Sequence, residues 1–99
     1  MSELPQSLVV NFDRPIAYNG NQYESIELSE PTMKQLRAAY RELSNGGNAE
    51  QMAKFQIALV REVSGAPLQV VEGMPISKMN EAFDYLQGFM NAAPPTGEN

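Results

Sequence analysis

The chain has 99 residues, 42% of them apolar, which is the usual size of one folded unit around one core. Twelve acidic side chains against seven basic ones give a formal charge of −5, and the cations are too scattered to hold a nucleic acid backbone by displacing its counterions. Cysteine and histidine are absent, which excludes disulfides, thiolate metal sites and any catalysis that needs an imidazole or a thiol.

Leu8, Val10 and Phe12 alternate with Val9 and Asn11, the period of a strand with one buried face. Asp13-Arg14-Pro15 interrupts that run, because proline has no N–H for a ladder, and Ile16–Tyr18 resumes an extended pattern. Asn19-Gly20 follows, the strongest short hairpin signal, since both residues tolerate positive φ. Tyr23, Ile26 and Leu28 are the next apolar residues; strict alternation fails between Tyr23 and Ile26, and a bulge near Ser25 reconciles them. Residues 8–28 therefore read as two or three antiparallel strands whose apolar face must pack on whatever follows.

Ser29-Glu30-Pro31-Thr32 reads as a helix start, with Ser29 as the cap and Pro31 in the first turn. Met33, Leu36, Tyr40 and Leu43 then recur at helical spacing until Ser44-Asn45-Gly46-Gly47-Asn48, expected as a flexible loop. A second helix is expected from Ala49 to Ser64, carrying Met52, Phe55, Leu59, Val60 and Val63 and stopping at Gly65. Pro67–Glu72 reads as a short helix ended by Gly73. Ser77 is expected to cap a last helix from Lys78 to about Asn91, with Ile76, Met79, Ala82, Phe83, Leu86 and Met90 on one side. The expected fold class is α+β: an N-terminal antiparallel β-hairpin of two or three strands followed by three or four α-helices. Residues 1–91 form a single domain in this reading, and residues 92–99, with two prolines, a glycine and little to bury, form a flexible C-terminal tail. No apolar run approaches the ~20 residues required to span a bilayer, and Met1–Pro5 lacks the cationic start and apolar centre of a secretory signal. The protein is expected to stay where it is made, without contact to membrane or nucleic acid.

Few side chains are left for chemistry, and no catalytic, cofactor-binding or metal-binding residue is assigned. Glu24, Glu27 and Glu30 recur every third residue, a spacing that alternates faces on a strand and does not gather carboxylates. Lys34, Arg37 and Arg41 read as a solvated helix face beside Glu42, and Glu72, Glu81 and Asp84 as a solubilising acidic surface. Among the tyrosines, Tyr85 beside the last apolar stripe is the candidate for an exposed contact, with ordinary packing as the alternative reading. Methionine is frequent, and its unbranched thioether suits surfaces that adapt to a partner. The residues taken as the partner-binding rim are Met79, Tyr85, Phe89 and Met90, because the apolar side of the last helix extends beyond one narrow stripe.

Several short segments occur in a distinctive order: Pro15-Ile16, the Gly20 turn, Ile26-x-Leu28-x-Glu30-Pro31-Thr32, Gln35-Leu36-Arg37, Val63-Ser64-Gly65-x-Pro67 and Val70-Val71-Glu72. Met74-Pro75-Ile76-Ser77 then steps into Ala82-Phe83-x-x-Leu86-x-x-Phe89. In this order and spacing, over roughly residues 8 to 90, the chain resembles the phage tail assembly chaperones, specifically the short chaperones of Mu-like contractile-tailed phages. The resemblance implies a non-enzymatic protein without cofactors that binds the long, largely helical tape-measure protein and keeps it soluble. It further implies help in recruiting tail-tube subunits, self-association, action in the host cytoplasm and absence from the mature virion. In related systems a longer product arises by frameshifting, and residues 92–99 are where such an extension would attach. The competing readings are a structural tail or head-completion protein, a helix-turn-helix regulator and an enzyme of carboxylate chemistry. The regulator is opposed by Glu81 and Asp84, which phosphates would repel from a recognition helix.

Overall fold

A computed structural model of the chain describes residues 6–43 and 48–91. Strands β1 (Ser7–Tyr18) and β2 (Asn21–Ser29) pair as an antiparallel two-stranded sheet. Asn19 (φ 55°) and Gly20 (φ 82°) form the turn between them, both in the left-handed region that matches the twist of the flanking strands. Leu8 stands opposite Leu28 and Val10 opposite Ile26. Val10, Phe12, Ile26 and Leu28 are buried while Val9 and Asn11 are exposed, which is the alternation expected of this face.

The hairpin departs from expectation at its middle. β1 runs on through Pro15 as one strand, and the register slips between the pairs Asn11–Ser25 and Ile16–Tyr23. Residues 12–15 thus stand opposite Glu24 alone. The irregularity does lie beside Ser25, but the surplus residues belong to β1 and not to β2. Pro15 explains the side: it has no N–H to give a ladder, so the unpaired stretch forms around it.

Four helices follow: α1 (Met33–Tyr40), continued by a 3-10 turn at Arg41–Leu43, then α2 (Ala49–Ser64), α3 (Leu68–Glu72) and α4 (Ile76–Asn91). The α+β order of hairpin and then helices is as the sequence predicts, and α3 opens at Pro67 as expected, while the starts of α1 and α4 differ. Thr32, not Ser29, caps α1. Its hydroxyl accepts from the Gln35 N–H at 3.1 Å, and Gln35 Oε1 accepts from the Thr32 N–H at 2.9 Å, a reciprocal capping box. Ser29 remains in β2, and Pro31 precedes the helix.

α3 and α4 start on prolines instead of side-chain caps. The Pro67 carbonyl accepts from the N–H groups of Val70 (3.0 Å) and Val71 (3.2 Å), and the Pro75 carbonyl from those of Lys78 and Met79 (3.0 Å each). Ser77, the expected cap, therefore lies inside α4. α2 has the expected bounds, with Asn48 Oδ1 accepting from the Gln51 N–H at 2.9 Å and Gly65 closing it at φ 74°. The expected loop at residues 44–47 and tail at 92–99 lie outside the described residues.

The core forms where α2, α3 and α4 meet the apolar face of the hairpin. Leu28, Leu59, Leu86, Val10, Val60, Val70 and Val71 are its largest fully buried side chains. An aromatic chain crosses three helices: Tyr40 stacks on Phe55 with ring centroids 5.2 Å apart, and Phe55 meets Phe83 edge to face at 5.9 Å. Gln35 Nε2 donates to the Glu62 carbonyl at 3.2 Å, a second tie between α1 and α2. At Gly73, which ends α3, an added Cβ would sit 3.3 Å from both Ile16 Cγ2 and the Gln69 carbonyl oxygen, so a side chain there would require those neighbours to give by a few tenths of an ångström.

Candidate partner-binding surface

α1 is short, and the face it turns to α2 centres on Ala39, the one fully buried residue of the helix. Met33, Leu36 and Tyr40 lie to one side of that face, one helical turn apart. Met33 is 69% exposed and Tyr40 49%, a large apolar area for an eight-residue helix. The last turn of α4 runs alongside and presents Phe89 and Met90. Between them is an open groove of about 390 Å³, lined by Glu30, Pro31, Thr32, Met33, Leu36, Tyr40, Phe89 and Met90. The Thr32 capping box fixes where α1 begins, and so fixes Met33 at the groove's edge.

The four residues taken as a partner-binding rim do not share one surface. Phe89 and Met90 line the groove. Met79 lies ten residues before Phe89, about 15 Å along the helix, and lines a separate cavity of about 230 Å³ with Ile57, Val71, Met74 and Ile76. Tyr85, the candidate exposed aromatic, is instead packed and only 7% exposed. Phe89, one turn on, packs edge to face against it at 5.1 Å, so Tyr85 supports the groove from beneath instead of lining it. Met33, Leu36 and Tyr40 were missed as groove-lining residues. Helical spacing marks them as an apolar stripe, and only the width of the neighbouring helix decides how much of such a stripe is covered.

Chemically the groove offers apolar contact and a single carboxylate, Glu30. Among the described residues no group of three or more His, Cys, Asp or Glu side chains is arranged to hold a metal ion, and no helix is long and apolar enough to cross a membrane. Glu24, Glu27 and Glu30 are all exposed and ungathered.

Burial pushes the Tyr85 phenol above its ordinary value near 10, and the negative charge of Glu30 adds to the rise. The folded state therefore favours the neutral phenol. That contribution to stability is complete below the ordinary value and is lost as pH rises through the higher folded-state value. Urea unfolding midpoints are expected to fall above about pH 10, and Tyr85→Phe, which keeps the ring against Phe89, is expected to flatten that alkaline fall. Equal alkaline slopes for the two proteins would show that Tyr85 ionises freely.

No curated protein and no solved structure matches the chain. A family model does, the one described as "Phage tail assembly chaperone proteins, E, or 41 or 14", over residues 9–91. That span begins in β1, includes the turn, the Glu30-Pro31-Thr32 step and all four helices, and ends with α4. With the match covering both walls of the groove and nearly the whole described fold, the chain belongs to the phage tail assembly chaperone family.

Proposed function

We propose that this chaperone binds the tape-measure protein through the groove between α1 and α4, keeps it soluble before assembly and helps to recruit tail-tube subunits. It acts in the host cytoplasm and leaves before the virion is complete. The observation that carries this reading is the exposure of Met33 and Tyr40 on one wall of an apolar groove whose other wall is Phe89 and Met90. A long, largely helical partner displays apolar stripes until it is assembled, and a groove of this kind covers such a stripe reversibly. Methionine on both walls lets the lining adjust to stripes of differing shape. Family membership itself implies a non-enzymatic role in tail assembly.

The test is co-expression of the chain with the tape-measure protein of the same phage. The partner should move from the pellet to the soluble fraction and co-purify with the chain, and mass spectrometry of finished particles should find the chain only in traces. Abundant copies in the virion would mark a structural subunit instead.

A further inference from the structure

The border of the groove carries more information than its apolar walls. Lys34, Arg37 and Arg41 each follow by one residue a side chain of the α1 wall, Met33, Leu36 and Tyr40. One residue is about 100° around a helix, and Arg41 keeps helical backbone angles (φ −58°, ψ −24°). The three cations therefore form a second stripe parallel to the wall, along its outer border. All three are exposed, and none forms an ion pair with another described residue. The α4 wall has no such border: its neighbours in sequence, Gly88 and Asn91, are uncharged. In a chain of net charge −5, three of the seven cations are thus held on one side of one groove.

We infer that the segment seated in the groove is an amphipathic helix whose apolar anchors are flanked on one side by carboxylates, the acidic flank lying against Lys34, Arg37 and Arg41. This rests on the reading of the groove given above and adds the chemistry and orientation of its occupant. Met33 to Tyr40 spans seven residues, about 10 Å, so the wall accommodates two helical turns with anchors at i, i+3 or i+4, and i+7. Cations at the rim of an interface act chiefly on the association rate and on which partner is accepted, and salt weakens them. The three charges thus set the direction in which a helix lies, while the apolar walls hold it.

The test uses fluorescein-labelled helical peptides of roughly 14 residues, all with the same leucine anchors and with Glu, Gln or Lys at the flanking positions, titrated by anisotropy against the full chain. At low salt the Glu peptide is expected to bind about tenfold tighter than the Lys peptide, with Gln between them, and the preference should fade at high salt. The combined variant Lys34→Gln, Arg37→Gln, Arg41→Gln should lose the preference and keep its affinity for the Gln peptide. Equal binding of all three peptides, or preference for Lys, overturns the inference while leaving the groove as a binding site. Failure of every peptide to bind also overturns it, and the groove itself is then judged separately by Met33→Asp in co-expression. A dimer that Met33→Asp dissociates would make a second copy the occupant and overturn the inference. So would peptide binding seen only after residues 92–99 are removed, which would make that segment the occupant.

Discussion

Exchanging Met33 for aspartate is expected to abolish solubilisation of the tape-measure protein in co-expression while the chaperone itself folds normally. Met33 is 69% exposed, so little packing is lost with it. It is also the first residue of α1, where a carboxylate interacts favourably with the helix dipole, by about 0.3–1 kcal/mol. The melting temperature should be unchanged or slightly raised. In the proposed complex the same carboxylate stands on the wall assigned to the partner's apolar side chains, and burying it there unpaired is strongly unfavourable. An unpaired carboxylate in place of an apolar contact is expected to cost about 2 kcal/mol or more of binding, roughly thirtyfold in affinity. Phe89→Asp should act in the same direction on the opposite wall. Persistent solubilisation by folded Met33→Asp and Phe89→Asp proteins would exclude the groove. Tyr85→Ala is a poor probe of the same idea, because removing a ring that is 7% exposed opens a cavity and lowers stability whatever the ring does for binding.

The largest loss of stability is expected for Phe55→Ala. Phe55 is 4% exposed and touches aromatic rings on both sides, Tyr40 of α1 and Phe83 of α4. Truncating a buried phenylalanine typically destabilises by about 3–5 kcal/mol, which for a domain of this size lowers the melting temperature by roughly 12 °C or more. Part of the loss falls on α1 alone, since Tyr40 loses the ring it stacks on and only the Gln35–Glu62 hydrogen bond and neighbouring apolar contacts still hold the helix to α2. Hydrogen exchange should show faster opening of residues 33–40 than of α4 in this variant. Uniform acceleration through all helices would show that α1 does not detach separately. Because α1 forms one wall of the groove, solubilisation of the tape-measure protein should weaken at temperatures where α4 is still protected.

What could be read from the sequence follows the range over which each signal acts. The Asn19-Gly20 turn, the Leu8, Val10, Phe12 alternation and the bounds of α2 are set by neighbouring residues, and the structure shows all of them. The start of α4 is misplaced by the sequence because Ser77 offers a hydroxyl where the Pro75 carbonyl does the accepting, while α3 opens at Pro67 as expected. The irregularity in the hairpin was visible as a broken alternation in β2, but alternation in one strand cannot say which strand holds the surplus residues. The groove was the least legible feature. Met33, Leu36 and Tyr40 have the spacing of core residues, and their exposure depends on α1 packing through Ala39, which is a property of two helices together. Tyr85 shows the converse, a residue beside the predicted stripe that Phe89 covers from one turn away.

The slipped register of β1 bears on how a two-stranded hairpin avoids pairing with other chains. A sheet of two strands leaves each strand with one edge that has no neighbour in the sheet, and an open edge is a template on which other chains aggregate. Along β1 the strand contains Pro15, which has no N–H to offer an incoming strand. β2 carries the exposed charges of Glu24 and Glu27. The hairpin is thereby kept from being extended by a foreign strand.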